Sequence, residues 1–406
     1  MRSKEFRNLV VSLARANEPV EPRCPHAEQC GGCAFQDRAY NAQIAAKTTA
    51  LTRLFKSAEN LPNLVDGTPF DLDRLEFAVE PSPDPYTYRT RMDYVATKGR
   101  FGLRARGKFN YIVELETCHL IPPPAFAAAK AVWVRANELG IPDYNIRSHE
   151  GFLRYVVVRR SPADQLLLAA VTALGPYEAE MEQLAATALA QPGVTGFHWL
   201  LNDSKTDLSF GTPLRHWGVA TLPMPVGAHE LAIGPNTFFQ NNVHLLDQLL
   251  SAVRDAALAD LASPPRIADL YGGVGTIALH LAPAAAEVVC VESVAESVAL
   301  AKESTANAGI SNLRPVFADV ASFLQETAPE TFPIMIADPP RTGLGPEVCA
   351  ELNRLKPERI VYVSCNPLTQ VEDLQALAGA YSIRSLRGYD MFPHTPHVES
   401  IAVLER

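Results

Sequence analysis

The stretch RIADLYGGVGTIALHLA, residues 266–282, carries the strongest fold signal in this 406-residue chain. A short aliphatic run leads into a glycine-rich turn, and a helical pattern follows the turn. Gly273 and Gly275 let the backbone turn sharply and approach a ligand that a side chain would exclude. The letters GVGTIA also satisfy the G-x-G-x-x-A pattern of dinucleotide sites. The turn therefore predicts a nucleotide-type ligand, and a nicotinamide cofactor is one candidate.

The rest of the C-terminal half repeats this alternation of strand and helix. From Leu245 onward, alanine- and leucine-rich helical patterns separate the short aliphatic runs EVVCVE, LRPVFAD, FPIMIADPP, RIVYVSCN and VESIAVLER. Strands alternating with helices indicate an α/β fold with a parallel sheet covered on both faces. A chain of this length also exceeds the size of a single core, which predicts two domains. The boundary is expected near Pro223–Gly234, which is rich in proline and glycine.

The preceding part of the chain has a different pattern. Between Phe77 and Phe210 short apolar stretches predict mainly strands, with one helix over Pro124–Leu139. Residues 86–111 interleave seven Arg and Lys residues with aromatic residues, which suits phosphate contacts and base stacking. The alternative is an amphipathic sheet with a solvated basic face. The net charge of −9 argues against a protein that is basic over its whole surface.

Composition and cysteine usage limit the cellular context. Nearly half of the residues are apolar and 20% are charged, as in soluble globular proteins. The start shows no secretion signal, and nowhere is there an apolar run long enough to span a membrane. The seven cysteines are unevenly spaced, which favours thiols or metal ligands over disulfides. We therefore expect a cytoplasmic protein with no membrane partner.

Two strand ends distinguish among the possible chemistries. Asp338 ends the run MIAD and Cys365 follows the run VYVS, so both should face the crevice beside the glycine turn. Glu292 ends EVVCVE, where an acid can receive the ribose hydroxyls of NAD or of S-adenosylmethionine. Hydride transfer has no need of a thiol beside its cofactor, but methylation of a pyrimidine does. A thiolate that adds to C6 of uracil makes C5 nucleophilic, and a base must later remove the C5 proton.

Four motifs together resemble the S-adenosylmethionine-dependent RNA 5-methyluridine methyltransferases: DLYGGVGT, ADPPRTGL, VSCNP and MFPHTPHVESIAVLE. The resemblance extends from Cys24 to the end of the chain and implies a Rossmann-like class I methyltransferase domain. It also implies that Cys365 is the nucleophile and Glu399 the proton-abstracting base. The donor-binding positions that it implies are Gln240, Tyr271, Glu292, Asp319 and Asp338.

The remaining residues with possible roles near the site receive plainer interpretations. His394 and His397 are alternatives for proton transfer, although a histidine near a strand end is more often a hydrogen-bonded structural residue. Cys290 lies inside an aliphatic strand and Cys349 in a helical stretch, so both are assigned to the core.

A second cysteine set lies in PRCPHAEQCGGCAFQ, residues 22–36. Three thiols within ten residues, Cys24, Cys30 and Cys33, are a metal-binding signal, and Cys118 is the remaining cysteine in the same half. Zinc is one reading, because a histidine adjoins Cys118 and another, His26, adjoins the first set. A branch of the resembling family that acts on 23S ribosomal RNA carries a 4Fe-4S cluster on this spacing, and this favours a cluster on the four cysteines.

The resemblance sets the remaining expectations. The iron-sulfur, RNA-contacting domain is a smaller, strand-rich α+β unit of residues 1–35 and 72–222. The methyltransferase domain comprises 36–71, helical over Tyr40–Lys56, and 223–406. Only 23 residues precede Cys24, so the oligonucleotide-binding barrel of many relatives is expected to be absent. The expected activity is methylation of C5 of a flipped or unpaired uridine in 23S ribosomal RNA by a monomer.

Three alternatives stay open beside this expectation. One is the transfer-RNA uridine enzyme, and its branch of the family lacks the cysteine set. A second is an iron-sulfur RNA-binding protein whose methyltransferase fold is inactive. A third is a nicotinamide oxidoreductase, which the letters GVGTIA alone would allow.

Overall fold

The computed structural model describes residues 1–406 and contains ten α-helices, seventeen strands and two short 3-10 helices, Leu72–Leu75 and Ala282–Ala284. The helices are α1 Ser3–Arg15, α2 Tyr40–Ser57, α3 Pro123–Glu138, α4 Glu178–Leu189, α5 Leu246–Leu258, α6 Thr276–Leu281, α7 Ala295–Asn307, α8 Val320–Glu326, α9 Gly345–Leu355 and α10 Pro367–Leu377.

The strands fall into a first group that precedes the glycine-rich turn and a second group that surrounds it. The first group is β1 Val79–Glu80, β2 Arg91–Thr97, β3 Arg100–Ala105, β4 Lys108–Glu114, β5 Leu153–Arg160, β6 Leu166–Thr172, β7 Val194–Leu201, β8 Thr212–Gly218, β9 Leu222–Val226 and β10 His229–Ile233. The second group is β11 Arg266–Leu270, β12 Glu287–Glu292, β13 Leu313–Phe317, β14 Ile334–Ala337, β15 Arg359–Ser364, β16 Ser382–Tyr389 and β17 Glu399–Glu405.

The larger sheet has eight strands in the order β1-β16-β17-β15-β14-β11-β12-β13. Strands β11 to β15 pair in parallel, and β17 lies antiparallel between β15 and β16. The strand order reverses at β11, where β12 lies on one side and β14 on the other. Open α/β sheets bind ligands at such a switch point, outside the carboxyl ends of the strands.

Helices cover both faces of this sheet, as the alternation of strands and helices predicted. Successive residues of β14 point to opposite faces: Met335 packs in the core with α1, α2 and α8 to α10, and Ile336 packs in the core with α5 and α6. The hairpin β9–β10 joins the second core through Leu222, Met224 and Leu231. The Pro223–Gly234 stretch expected to be a boundary is therefore a packed hairpin, because its apolar residues alternate.

The smaller sheet has seven strands in the order β4-β3-β2-β5-β6-β7-β8, and only β6 and β7 pair in parallel. Helices α3 and α4 pack on one face, around Phe101, Phe126 and Met181. The sequence predicted α3 within one residue and missed α4 and α1. The strand-rich α+β unit was predicted correctly, and its iron-sulfur character stays a prediction. No helix combines the length and hydropathy needed to cross a membrane.

The N-terminal segments connect the two sheets. In α1, Phe6 and Val10 are buried in the core of the eight-stranded sheet. Cys30 and Cys33 are buried in the core of the seven-stranded sheet. The backbone of Cys30 also forms an isolated antiparallel β-bridge with Ala105. The division into two domains after residues 35 and 71 stays a prediction. It assigns α1 to the domain of the smaller sheet, although α1 packs on the larger sheet.

A buried ion pair anchors the loop that precedes β17. Lys47 of α2 contacts Asp390, and both side chains have no exposed surface. Lys47 Nζ also donates to the Phe392 carbonyl at 3.1 Å, and the Tyr40 hydroxyl donates to Asp390 at 2.9 Å. Because both charges are removed from water, losing one partner would leave the other unpaired in the interior.

We predict that Lys47→Met lowers the free energy of unfolding by about 3–5 kcal/mol, because Asp390 would stay buried without its cation. Urea denaturation measures the change. Lys56→Met is the matched control, since Lys56 forms a surface pair with Asp73 at 2.6 Å and such pairs contribute about 0–1 kcal/mol. Equal losses in the two variants would contradict the prediction.

Candidate active site

Cys365 and Glu399 face each other across two neighbouring antiparallel strands. The last pair of the β15–β17 ladder is Ser364 with Ser400, so the next residues outward, Cys365 and Glu399, stand opposite each other. Directly opposite residues in such ladders have Cα atoms about 4.5–5.5 Å apart. Cys365 is partly exposed, whereas Glu399 is 2% exposed. The two groups with implied catalytic roles therefore meet at one edge of the sheet.

The turn after β15 is held by local hydrogen bonds. The Asn366 backbone N–H donates to Ser364 Oγ at 3.1 Å, and the Asn366 side chain caps α10 by accepting from the Leu368 N–H. The amide of Asn366 donates to the Arg341 carbonyl at 2.8 Å, which ties this turn to the loop after β14. Pro367 begins α10 and needs no hydrogen-bond acceptor there. Cys365 is thus held at a fixed strand-to-helix turn.

Burial and neighbouring acids together keep the Cys365 thiol protonated. Burial raises its pKa to about 12, and Glu399 and Asp338 add to the rise, while Arg341 opposes it through its charge and a hydrogen bond. Arg341 is the cation of this group, and the sequence motif DPPR contains it without indicating its role. A thiolate forms here only when positive charge or substrate offsets the surrounding acids.

The two carboxyl groups beside the thiol also favour their neutral forms. Burial, and after it the charge of Asp338, raises the pKa of Glu399 well above its ordinary value. Burial raises the pKa of Asp338 to about 7, and the hydrogen bond from Gln240 Nε2, 2.9 Å from Asp338 Oδ2, opposes this rise. Both carboxyl groups thus have raised pKa values, which are common among the acids and bases of active sites.

A cleft beside these groups joins the residues expected to bind a donor. It encloses about 550 Å³ of space, part of it open to solvent, and its lining includes Phe238, Gln240, Tyr271, Gly273 and Asp338. Within this lining, the Gln240 amide donates a hydrogen bond to Asp338. The lining is mostly apolar with a few polar groups, which is typical of cofactor sites.

The glycine-rich turn is needed sterically. Tyr271, Gly273 and Gly275 have positive φ angles of 60°, 56° and 85°, a region that favours glycine. A Cβ on Gly272 would lie 2.3 Å from Cys290 Sγ, so the backbone approaches β12 closely at that position. Cys290 and Cys349 are both buried in the cores, as predicted.

Two further expected donor-binding acids lie at or just after the ends of the neighbouring strands β12 and β13. Glu292 Oε2 accepts from the Gly273 N–H at 3.0 Å, so the acid and the turn adjoin. Asp319 is exposed and caps α8 by accepting from the Ser322 N–H at 3.1 Å, and its charge contributes to the raised pKa of Tyr271. The five expected positions therefore surround one end of the larger sheet.

Asp269 is a buried acid that the sequence interpretation did not single out. Its Oδ2 accepts from the Ala278 N–H at 3.0 Å, and its Oδ1 has no partner. Burial raises its pKa to about 8, with further contributions from Asp338 and Glu292. The signal in the sequence was an acid inside the aliphatic run RIADL.

The two histidines near Glu399 differ in position. His394 is buried, and its Nδ1 lies 3.2 Å from Gln43 Nε2. Burial lowers the pKa values of His394 and His397 to about 3. His394 thus has the hydrogen-bonded structural environment that the sequence interpretation gave as the usual one. His397 instead lines a second, larger cleft between the two sheets.

The four cysteines of the second set are all buried. Burial raises the pKa of Cys33 to about 12, and Cys118, Cys30 and Cys24 add smaller contributions, so the four thiols are close enough to interact. No group of three or more His, Cys, Asp or Glu side chains has an arrangement that would hold a single metal ion. The structure therefore brings the cysteines into one region without showing a metal centre.

Comparison with known proteins identifies the family. A family model described as tRNA (Uracil-5-)-methyltransferase matches residues 229–406. The tRNA (uracil(54)-C(5))-methyltransferase of Pyrococcus abyssi is 33% identical over 95% of this chain and 86% of its own length. The chain belongs to the RNA (uracil-5-)-methyltransferase family. An uncharacterized RNA methyltransferase of Caldanaerobacter subterraneus is 32% identical, over 98% of this chain and 88% of its own.

A solved structure agrees with this assignment to the RNA (uracil-5-)-methyltransferase family. The crystal structure of the Pyrococcus abyssi enzyme, in complex with S-adenosyl-L-homocysteine, superimposes with a TM-score of 0.76. The two chains are 30% identical, and the match covers 94% of this chain and 86% of that chain. The expected α/β methyltransferase fold is confirmed.

We predict that Asp269→Asn weakens the dependence of stability on pH. The folded-state carboxyl holds its proton up to a pKa of about 8, from an ordinary value of 3.8. The folded protein therefore binds more protons than the unfolded chain, and this stabilising contribution is lost as pH rises from about 4 to about 8.

Urea denaturation at several values across this range measures the effect. The variant should gain stability relative to the parent as pH rises, whereas Asp203→Asn, on an exposed loop, should follow the parent curve. A constant difference between Asp269→Asn and the parent would count against this pKa.

Proposed function

We propose that this enzyme methylates C5 of a uridine in structured RNA, with Cys365 as nucleophile and Glu399 as base. The observation that carries the proposal is the placement of Cys365 opposite Glu399 at the end of the β15–β17 ladder, beside the Asp338 cleft. Family membership supports the reaction class. A nicotinamide oxidoreductase would leave this thiol and acid pair unexplained.

The residues divide the reaction between them. Cys365 gives up its proton to solvent, and its thiolate adds to C6 of the uracil ring, while the π electron pair of the C5–C6 bond moves so that C5 becomes nucleophilic. After C5 has gained a methyl group, Glu399 as carboxylate takes the C5 proton. The C6–S bond then breaks and Cys365 leaves as thiolate. Arg341 favours the thiolate form at both stages.

S-adenosylmethionine is the methyl donor that the cleft would take, because the related Pyrococcus structure holds its demethylated product. Glu292 would receive the ribose hydroxyls, and Tyr271, Asp319, Gln240 and Asp338 would line the remaining contacts. The unpartnered Oδ1 of Asp269 and the open glycine turn fit a ligand with several polar groups. When bound, the donor supplies the methyl group and a positive sulfonium.

Transfer RNA is the substrate that the relatives favour, at the position that corresponds to uridine 54. The alignment with the Pyrococcus transfer-RNA enzyme leaves about 20 residues of this chain outside. The segment with Cys24, Cys30 and Cys33 therefore lies inside the shared span. Relatives named for transfer RNA thus align across the cysteine segment, and this supports a transfer-RNA substrate beside the ribosomal one.

A uridine in 23S ribosomal RNA is the second candidate, and the four buried cysteines favour it through the resemblance described above. In either RNA the target base would have to be unpaired or flipped, because Cys365 lies partly buried in the strand-to-helix turn between β15 and α10.

We also propose that Cys24, Cys30, Cys33 and Cys118 hold a 4Fe-4S cluster. The Gly32 N–H points to Cys30 Sγ at 3.4 Å, and backbone N–H groups also hydrogen-bond Cys24 and Cys118. Such bonds to sulfur are typical of iron-sulfur sites. A single zinc ion would bring four sulfurs to within about 2.3 Å of one point, whereas a cluster holds them farther apart. All-sulfur ligation suits a structural cluster.

Incubation with 5-fluorouridine-substituted RNA tests the reaction and the substrate together. Fluorine at C5 cannot leave as a proton, so the parent enzyme should be trapped with donor as a methylated adduct on Cys365. We expect the adduct with a transfer-RNA transcript, and denaturing gels with mass spectrometry measure it. If only the 23S fragment forms the adduct, the substrate is ribosomal RNA rather than transfer RNA.

Two variants separate the roles of the site residues. Cys365→Ala should give no adduct with either RNA, and a normal yield would disprove its role as nucleophile. Glu399→Gln should transfer the methyl group to natural uridine but release product slowly, because removal of the C5 proton is impaired. Release at the parent rate would show that another group is the base.

The cluster proposal is tested by metal content rather than activity. Anaerobically purified protein should contain iron and acid-labile sulfide in equal amounts. Its absorption spectrum should show a broad band in the visible range. Cys24→Ala should lose both, whereas Cys349→Ala, which removes a buried thiol elsewhere, should retain them. Zinc without sulfide would overturn the proposal.

A further inference from the structure

A broad cleft separates the open face of the seven-stranded sheet from the loop that precedes Glu399. It encloses about 1660 Å³ of space and opens to solvent. One wall carries the cations Arg89, Arg104, Arg106 and Lys108, and the opposite wall is formed by residues 395–397.

The charge of this cleft is opposite to that of the chain as a whole. Two acids line it, Asp93 and Asp207, and each is already paired with an arginine, Arg91 and Arg104 respectively. Arg106 donates to the carbonyls of Ala27 and Cys33, at 2.7 and 2.8 Å, rather than to an acid. Since the net charge of the chain is −9, a positive cleft is a local feature that favours a polyanion.

Two exposed aromatic side chains lie in the same cleft. Phe109 is 57% exposed and Phe210 is 44% exposed, although both are fully apolar. The guanidinium carbon of Arg104 lies 4.1 Å from the ring centre of Phe109. The guanidinium carbon of Arg91 lies 4.3 Å from that of Phe210. Each ring therefore has an arginine on one face and an accessible surface on the other.

These arginines are themselves fixed. Arg91 donates to Asp93 at 2.9 Å and to the Pro235 carbonyl at 2.7 Å. Arg104 is paired with Asp207 and donates to the Phe109 carbonyl at 2.5 Å. The rings thus rest on ordered supports, which lowers the entropic cost of placing a ligand against their free faces.

One edge of the cleft is formed by the loop that leads into β17. His397 lines it, and the charge of Arg341 acts on His397. Arg341 also hydrogen-bonds Cys365. Residues 395–397 are followed directly by Val398 and Glu399, so the cleft borders the loop that carries the proposed base.

We propose that Phe109 and Phe210 stack on unpaired bases next to the target uridine, so that the cleft binds a single-stranded segment of the RNA. The proposal rests on the proposed function and extends it to the form in which the substrate is presented. Every base has an aromatic face, so these contacts are tolerant of sequence. Lys108 and Arg106 would contact the phosphates between the stacked bases.

Binding of a fluorescein-labelled, single-stranded uridine-rich RNA, followed by anisotropy, tests the proposal. Phe109→Ala and Phe210→Ala should each weaken binding about 5- to 150-fold, the range for loss of one stacked base. Phe109→Trp should bind at least as well as the parent, because tryptophan keeps the stacking face.

Trp217→Ala is the matched control. Arg215 covers Trp217 in the same way, at 4.7 Å, but Trp217 packs on the sheet face that α3 and α4 cover. This variant should bind RNA as the parent does. Lys108→Ala should lower the dependence of log affinity on log salt by about one, and the phenylalanine variants should leave that slope unchanged.

A base-specific readout excludes a merely structural effect. Abasic nucleotides on both sides of the target uridine should weaken parent binding and remove the further loss caused by Phe109→Ala. Parent-like affinity in both phenylalanine variants, or an unchanged loss with abasic RNA, would overturn the proposal. Failure of the proposed function would instead appear as no methyl transfer by the parent to either RNA, while the binding assay stays readable.

Discussion

The antiparallel pairing of β17 with β15 is the constraint on which the active site depends. A sheet made only of parallel strands would place all of its strand ends at one edge and all of its strand starts at the other. Because β17 runs in the opposite direction, its first residue, Glu399, lies at the edge where β15 ends and Cys365 follows. A carboxyl group that begins a strand can then face a thiol that follows one.

The electrostatics of the site follow from this placement. Asp338, Glu399 and Cys365 share one buried region, and Arg341 is the cation that faces them. A buried region with more acidic than basic side chains favours the protonated, uncharged forms of its acids until a cation binds. A cationic methyl donor and an electron-poor uracil ring would both make the ionised forms more favourable. The crowding of acids that keeps the thiol protonated in the free protein would therefore be offset in the complete complex.

Local sequence patterns were sufficient to predict the helices and strands that bury one or both of their faces. The strands EVVCVE and RIADL and the helix α2 were predicted almost to the residue, because their apolar residues follow the period of the element. The thiol at the end of VYVS and the acid of MIAD could be placed in one crevice, because the carboxyl ends of parallel strands converge.

What the sequence could not supply were pairings between distant segments. Nothing in the letters links Lys47 to Asp390, or Phe210 to Arg91, because those contacts depend on how two sheets and their loops meet. The hairpin at Pro223–Gly234 was not predicted for a related reason: its prolines and glycines indicated a domain boundary, which stays a prediction, while its buried Leu222 and Met224 side chains find partners on helices that follow it. The cysteine set could be recognised, but its metal could not be identified from spacing.

The strand order also has a consequence for assembly. Strand β1, from the N-terminal part, pairs with β16, and β16 and β17 stand between it and the rest of the larger sheet. Strand β1 therefore has no strand to pair with until β16 has been synthesised, whereas Cys30 and Cys33 already pack on the seven-stranded sheet. The seven-stranded sheet needs none of these late strands and can form earlier. The larger sheet thus reaches its full width only after residues 382–405 have been synthesised, because β16 and β17 join β1 to the parallel strands.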